Sequence, residues 1–341
     1  MPRHRIALVG LGMAVTPHAK SLLDLQDRAE FASAVSPTAA RREAFAARFP
    51  FPTADNLGAI LDDRSIGVAA VLTPPNTHLE IASKLARAGK HVLLEKPLDV
   101  STARAEQLVE TCRGAGVTLG VVLQHRFKPA AERLAAILRA GMLGEIVNCS
   151  TTIRLWRPQS YYDEPGRGTK ARDGGGVLLT QGIHTLDLML SLAGPIVEVS
   201  GYAQTTSVHR METEDLVCAA VRFASGAVGV IDATTAAYPG GPERIELIGT
   251  KGTASLVGTA LDAHFSDGGR EHLAADDSPG GTGADPMAFP HDYHLGVWRD
   301  FLDAIDQGQA PRVSGAEGLK VHRLIDALLE AGASGGKVEI R

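Results

Sequence analysis

The sequence predicts an α/β chain in which a doubly wound parallel sheet comes first and an antiparallel sheet follows. Three observations carry that expectation. Short β-branched runs alternate with helical patterns over the first third of the chain. After about residue 125 the rhythm changes, and strand-like runs pair across the short turns Ser225-Gly226 and Lys251-Gly252. At 341 residues the chain is long for a single domain, so two are expected, over 1–125 and 126–341.

The elements follow in order. Strands are predicted at Ile6 to Val9, Phe31 to Val35, Val68 to Leu72, His91 to Leu94 and Thr118 to Val122. Between them, His78 to Ala88 and Thr102 to Ala115 read as helices, closed by Gly89 and Gly116 as C-caps. A helix over Pro129 to Arg139 leads into a strand over Glu145 to Ile153, then a glycine-rich loop and another helix. Two hairpins follow, Leu216 to Phe223 with Val228 to Thr234, and Arg244 to Ile248 with Thr253 to Val257. Asp276 to Pro286 reads as a polar loop. Helices around His291 to Ile305 and Glu317 to Ala331 close the chain, free to pack back on the first domain.

Composition excludes several classes. Apolar residues make up 44% and charged residues 21%, ordinary for a protein with a real core. With 34 basic and 39 acidic side chains the net charge is -5, which argues against nucleic acid or an anionic membrane as partner. Cys112, Cys149 and Cys218 form no C-x-x-C pair, so neither a disulfide framework nor a thiolate metal site is indicated. The opening MPRHRIALVG has too short an apolar run for a signal peptide. No later run approaches the roughly 18 residues of a membrane span. The expected location is cytoplasmic.

Gly10-Leu11-Gly12 follows the first strand and opens a helix, the context of a dinucleotide-binding Rossmann fingerprint. The first glycine permits the tight turn, the second lets backbone approach a pyrophosphate, and Met13 and Ala14 continue into the helix N-terminus. Val15 stands where the third glycine or alanine is usual, and two glycines after a strand also suit a plain βα turn. At the end of the second strand an NAD site usually has Asp or Glu. This chain has Ser36, then Pro37, Thr38, Arg41 and Arg42. Serine with arginine suits a 2′-phosphate, so the cofactor expected is NAD(P) with a preference for NADP. The alternative makes Arg41 and Arg42 solvated faces of the next helix.

Two further motifs carry a family resemblance. They are Leu72-Thr73-Pro74-Pro75-Asn76-Thr77-His78 with Gly89-Lys90-His91-Val92 and Glu95-Lys96-Pro97, and the run from Gly174-Gly175-Gly176 through Thr180-Gln181-Gly182-Ile183-His184-Thr185-Leu186-Asp187. Together they resemble the Gfo/Idh/MocA oxidoreductases, over nearly the whole chain. The resemblance implies a Rossmann domain followed by an α/β domain with a large, mostly antiparallel open sheet. It also implies hydride transfer to or from a secondary alcohol or ketone of a sugar, cyclitol or related polyol, with NAD(H) or NADP(H) and no metal. A homodimer or homotetramer assembled through the open sheet face is implied too. Cofactor contacts would come from Thr73, Pro74, Asn76, His78, Glu95 and Lys96.

Moving hydride from a carbinol carbon requires the hydroxyl proton to leave, which His or a depressed Lys does well. Lys96 lies just past a strand, at the carboxyl edge where α/β ligands collect. The resemblance puts it between nicotinamide and substrate, with a cis peptide often before Pro97; a surface lysine is the alternative. His184 falls on a predicted helix. Leu179, Ile183, Leu186 and Leu190 form an apolar stripe, and Thr180, His184, Asp187 and Ser191 a polar one behind the three glycines. His184 is the candidate to shuttle the proton and to touch the substrate; a structural histidine is the alternative. Better-known relatives carry Asp four residues before this histidine; here stands Thr180, so Asp187 is the candidate orienting carboxylate. Substrate contacts are expected from the segment Trp156 to Asp173, among them Tyr161, Tyr162, Arg167, Lys170 and Arg172. Gln124, Arg126 and Arg154 are weaker candidates. Lys170, where relatives often have an aromatic residue, suits an acidic or ketone-bearing substrate; a polar loop with exposed charges is the alternative.

Two rival functions remain open: a cofactor-retaining enzyme that cleaves glycosides through transient oxidation, and a non-catalytic dinucleotide-binding regulator. A metal enzyme built on His291 and His294 is remoter, because the sequence places no third ligand beside them.

Overall fold

A computed structural model describes residues 3–276 and 290–340. Beyond Asp276, the polar loop expected up to Pro286 lies outside the described residues. The chain divides into two compact units, one of 1–123 with 290–319 and one of 124–289 with 320–341. The segment 290–319, expected to be free to pack back on the first domain, groups with it.

The first unit alternates β1 (His4–Val9), α1 (Val15–Asp24), β2 (Ala29–Val35), α2 (Ala39–Ala46), β3 (Thr53–Ala54), α3 (Gly58–Leu61), β4 (Val68–Val71), α4 (His78–Arg87), β5 (His91–Glu95), α5 (Thr102–Gly114) and β6 (Leu119–Val122). All six strands are parallel, in the order β3-β2-β1-β4-β5-β6. The four residues of β4 are all buried, as a strand covered on both faces requires. Because β1 lies between β2 and β4, the chain winds away from it in both directions. The carboxyl ends of β1 and β4 therefore form the switch point where loops part and leave a crevice.

The second unit contains α6 (Pro129–Arg139), β7 (Ile146–Arg154), α7 (Gln159–Tyr162), α8 (Ile183–Ala193), β8 (Ile196–Gln204), β9 (Leu216–Phe223), β10 (Val228–Thr234), β11 (Arg244–Gly249), β12 (Gly252–Val257), β13 (Ala260–Phe265), β14 (Arg270–Leu273) and β15 (Lys337–Glu339). These strands make one nine-stranded sheet in the order β14-β13-β12-β11-β7-β10-β9-β8-β15. Only the β7–β10 pair is parallel. Along β9, Val217, Ala219, Val221 and Phe223 turn inward and the residues between them outward, the period-two pattern of a sheet covered on one face. Helices α6 and α8 supply that cover. The other face is open and carries Tyr202, Val228, Val230 and Ile248, all exposed. Two further helices, α9 (Asp292–Gln307) and α10 (Gly315–Ser334), close the chain, and α9 packs on α1.

Both predicted hairpins are present, and β8, β13, β14 and β15 extend the sheet beyond them. The predicted helix at Leu178 begins as a π turn, Leu178–Gly182, before α8 takes over. One extra residue per turn breaks the regular spacing on which the two stripes were read, and such turns concentrate at functional sites.

Gly176 is a site of enforced close approach: a Cβ there would lie 1.8 Å from the Glu214 carbonyl oxygen. Gly176→Ala should therefore cost about 1–3 kcal/mol, read as a lower urea midpoint. Gly12→Ala meets nothing within 4 Å, and should leave that midpoint unchanged.

Candidate active site

At the end of β1 the backbone turns at Gly10, whose φ is +103°. A Cβ on it would lie 2.8 Å from the Leu72 carbonyl carbon and 2.9 Å from Thr73 Cγ2, so the position admits only glycine. Gly12 has open space where a Cβ would point. Helix α1 begins with neither a side-chain cap nor an acidic residue in its first turn. Val15 N turns onto the Gly12 carbonyl at 3.3 Å, and no side-chain cap competes with an anion at this helix start. Met13 is exposed, and Ala14 and Gly12 are half-buried. Open space beside glycine and an uncapped helix start fit a dinucleotide pyrophosphate. Val15 points into the core, which explains why the fingerprint tolerates it.

Ser36 ends β2 and is buried, with Oγ accepting from Thr38 N at 3.3 Å. Arg42, rather than the exposed Arg41, turns back on this strand end and donates to the Ser36 carbonyl at 2.7 Å. Arg48, which the sequence reading passed over, reaches Thr16 Oγ1 on α1 at 3.1 Å.

The loop after β4 presents Thr73, Pro74 and Asn76 toward solvent. His78 does not join them. It is fully buried, with Nε2 2.8 Å from the Thr73 carbonyl and Nδ1 3.0 Å from that of Pro97. The expected cofactor contact is thus corrected to a clamp between two loops. Burial pushes the His78 imidazole down, against the pull of those carbonyls and Asp99. Beside it, Asp99 accepts from Leu79 N and from Arg104 Nε, at 3.0 and 2.6 Å.

Strand β5 delivers Glu95 and Lys96 to the same edge, and the Lys96–Pro97 peptide is cis. Glu95 Oε2 accepts the Lys96 backbone N–H at 3.1 Å, and Oε1 lies 3.0 Å from His18 Nε2 and 3.9 Å from His294 Nε2. Burial pushes the Glu95 carboxyl up, but the hydrogen bond to His18 and the neighbouring His294 and Lys96 outweigh it, leaving it at about 2. Burial pushes His294 down to about 3. His291 points elsewhere, to Asp24 at 2.7 Å on the surface. The H-x-x-H pair therefore diverges, and the acid near His294 that the sequence could not locate is Glu95.

In the second unit, Glu214 organises the start of the His184 helix. Its two carboxylate oxygens accept Gly176 N at 3.0 Å and Leu178 N at 3.2 Å. Thr180 Oγ1 donates to the Gly176 carbonyl at 2.6 Å and also meets Gln181 Oε1. Asp187 is buried, with both oxygens accepting Arg126 at 2.7 and 2.6 Å, a bidentate pair. Arg126 is thereby placed as an anchor for Asp187. Half-buried His184 has His125 beside it, ring centroids 4.9 Å apart, and His125 Nδ1 lies 3.6 Å from Glu243 Oε2. Sequence reasoning missed both His125 and Glu243. Adjacency of His125 to Arg126 at the end of β6 was the one available signal.

The loop before the glycines splits in two. Tyr162 belongs to the core: it is buried, and its hydroxyl donates to Thr235 Oγ1 at 2.8 Å. Burial pushes that phenol up to about 12. Its expected substrate contact is withdrawn on that ground. Tyr161 accepts from Arg167 Nη1 at 2.8 Å and from Gln181 Nε2 at 3.3 Å, tying the loop to the π turn. Lys170 is exposed, and Arg172 donates to the Pro165 carbonyl at 2.7 Å. Arg154 donates to Asp232 at 2.9 Å, on the open sheet face.

Comparison with known proteins places this arrangement. Residues 4–123 match the model of an oxidoreductase family with an NAD-binding Rossmann fold, and residues 131–255 match the GFO/IDH/MocA C-terminal domain. The chain belongs to the Gfo/Idh/MocA oxidoreductase family. It is 27% identical to myo-inositol 2-dehydrogenase of Thermotoga maritima, over 92% of each chain. It is 26% identical to D-xylose 1-dehydrogenase (NADP(+)) 2 of Haloferax volcanii, over 91% of this chain and 92% of that one. Among solved structures, the WlbA dehydrogenase from Bordetella pertussis, in complex with NADH and UDP-GlcNAcA, superposes with a TM-score of 0.85 at 27% identity. That match covers 100% of this chain and 99% of the other. This family member is an NAD(P)-dependent dehydrogenase. No helix among its described residues is long and apolar enough to cross a membrane.

The depressed values at Glu95 and His294 give the unit a direction of acid sensitivity. Glu95 lies below its ordinary 4.5, so its contribution is full above that pH and drains toward about 2. His294 lies below its ordinary 6.5, so burying it neutral stabilises fully above that pH and progressively less toward about 3. The melting temperature should fall steadily as pH drops below 6.5, and His294→Gln should flatten the upper part of that fall. A melting temperature that rises on acidification would contradict both assignments.

Proposed function

We propose that this dehydrogenase moves hydride between NADP(H) and a secondary hydroxyl or ketone of a sugar, cyclitol or sugar acid. One grouping carries the reading: the carboxyl edge of β1, β4 and β5 brings together the glycine turn, Thr73 to Asn76, and Lys96. When bound, the nicotinamide accepts or returns the hydride. The chain's own task is to handle the hydroxyl proton and the charge left on oxygen. Lys96 is assigned to hydrogen-bond the reacting oxygen and stabilise it as alkoxide develops. His184 is assigned the onward proton, and His125 with Glu243 continues the path from ring to carboxylate inside the second unit.

The NADP preference is supported by the strand end after β2, where residues 36–42 include no acid and Arg42 turns toward Ser36. A 2′-phosphate there would meet a hydroxyl and a guanidinium instead of a repelling carboxylate. Relatives named for myo-inositol and D-xylose, and a related dehydrogenase holding UDP-GlcNAcA, support a polyhydroxylated ring as substrate. Lys170 and Arg172 are the loop cations assigned to its polar groups, and they favour one bearing a carboxylate or ketone.

Association into a homodimer or homotetramer is proposed through the open sheet face. Tyr202 is 76% exposed there, and Val228, Val230 and Ile248 close to half. Among the described residues, α6 and α8 pack on the opposite face. A second copy presenting the same face would bury these side chains.

The decisive experiment titrates the protein with NADPH and NADH, then screens polyols, aldoses and sugar acids with the tighter cofactor. NADPH should bind more tightly, and Ser36→Asp should reverse the order. Lys96→Ala should lower kcat by about 10²- to 10⁴-fold while nucleotide binding persists. Failure to bind either nucleotide would sink the proposal. Separately, Tyr202→Asp with Val230→Asp should convert the assembly to monomers in light scattering.

A further inference from the structure

Three segments distant in sequence meet behind Lys96. Trp298 Nε1 on α9 lies 3.1 Å from His18 Nδ1 on α1, and His18 Nε2 lies 3.0 Å from Glu95 Oε1 at the end of β5. Trp298 and His18 have no exposed surface, so water does not compete for these contacts. An indole N–H donates and never accepts. His18 Nδ1 must therefore offer its lone pair, and the ring proton sits on Nε2, facing the carboxylate. The second carboxylate oxygen takes the Lys96 backbone N–H at 3.1 Å. The chain thus runs in one direction: Trp298 donates to His18, His18 donates to Glu95, and Glu95 receives the backbone of the lysine.

Glu95 and the two histidines also lie close enough to hold a cation, their ligand atoms all within 4.8 Å of one another. Trp298 decides between the two uses. A metal on His18 Nε2 would force the proton onto Nδ1, where it would face the indole N–H. Two donors would then oppose each other in a dry interior, at the cost of a buried hydrogen bond. His294, whose ring meets that of His18 edge-on at 5.0 Å, packs against the relay from α9.

We infer that Trp298 and His18 are positioning residues that hold Glu95 ionised and in one orientation, so that the end of β5 presents Lys96 on a fixed carboxylate. The inference rests on the reading of Lys96 as the group that handles the substrate oxygen. The charged and titratable groups around Glu95 are His18 from α1, His294 from α9 and Lys96 next in the chain. Neither Trp298 nor His18 is assigned contact with cofactor or substrate. Their influence passes through the carboxylate.

The test is nitrogen NMR of the ¹⁵N-histidine-labelled full chain, with His18 identified by loss of its signals in His18→Gln. Wild-type His18 should show the Nε2–H tautomer, with Nδ1 in the shift range of a lone pair that accepts a hydrogen bond. Trp298→Phe keeps the aromatic bulk but removes the donor, and should move the Nδ1 resonance toward that of a free lone pair. The same variant should lose kcat on the order of 10- to 100-fold, the usual cost of losing an outer partner. KM for the sugar should stay within about twofold. A wild-type Nδ1–H tautomer overturns the relay. So does a Trp298→Phe enzyme whose kcat falls while the His18 Nδ1 resonance stays in place, because that is the signature of a merely structural loss. Should Trp298→Phe fail to fold, Glu95→Gln in the same assays substitutes for it: kcat should fall by the same order with the His18 tautomer unchanged, and unchanged kcat overturns the inference. Wild-type protein that turns over no sugar sinks the reading of Lys96, a result distinct from an altered tautomer, which sinks the relay.

Discussion

Two loops at the carboxyl edge of the first sheet must keep a constant spacing if a lysine on one is to serve a ligand held by the other, and a buried imidazole sets that spacing. Buried His78 sits between the carbonyl of Thr73 in the loop after β4 and that of Pro97 just past Lys96, at 2.8 and 3.0 Å. The neutral ring donates its one N–H to one carbonyl and packs against the other, so both loops are held to the same side chain. Asp99, held by Arg104 of α5, braces the same corner. The glycine turn depends on it as well, because Gly10 closes against Leu72 and Thr73 with less room than a methyl group needs.

The second unit solves a similar problem with carboxylates. Glu214 spends both oxygens on the leading amides of the His184 helix, which its triple glycine leaves otherwise uncapped. Asp187 and Arg126 then lock that helix to the segment after β6, through two charge-assisted bonds in a buried setting. A buried ion pair of this kind specifies geometry more than it adds stability. In the same unit His125 lies beside His184 and Glu243 beside His125.

Much of this was legible in the chain. Strands separated by helices could only build a parallel sheet, and turns at Ser225-Gly226 and Lys251-Gly252 could only build hairpins, because local periodicity and turn chemistry are local properties. The glycine turn, Lys96 and His184 were visible for the same reason: each sits in a short motif whose purpose is set by its immediate neighbours. What failed to show were partners chosen across long separations. His78 reads as a cofactor contact at a helix start until its ring is seen to face two backbone carbonyls. Tyr162 reads as a substrate contact until its hydroxyl is found on Thr235. The even polar stripe through Thr180, His184 and Asp187 assumed a regular helix, and the π turn at Leu178–Gly182 interrupts it.

The sequence by itself determined the order of the elements, the turn for a dinucleotide and the presence of a lysine at a strand end. Those follow from which residues stand next to each other. Only the tertiary structure decided which polar groups meet in the interior and which stand at the surface. Trp298 meets His18 across 280 positions and Glu95 meets His18 across 77, and it is burial and donor direction, absent from any linear pattern, that turn those three side chains into a single device.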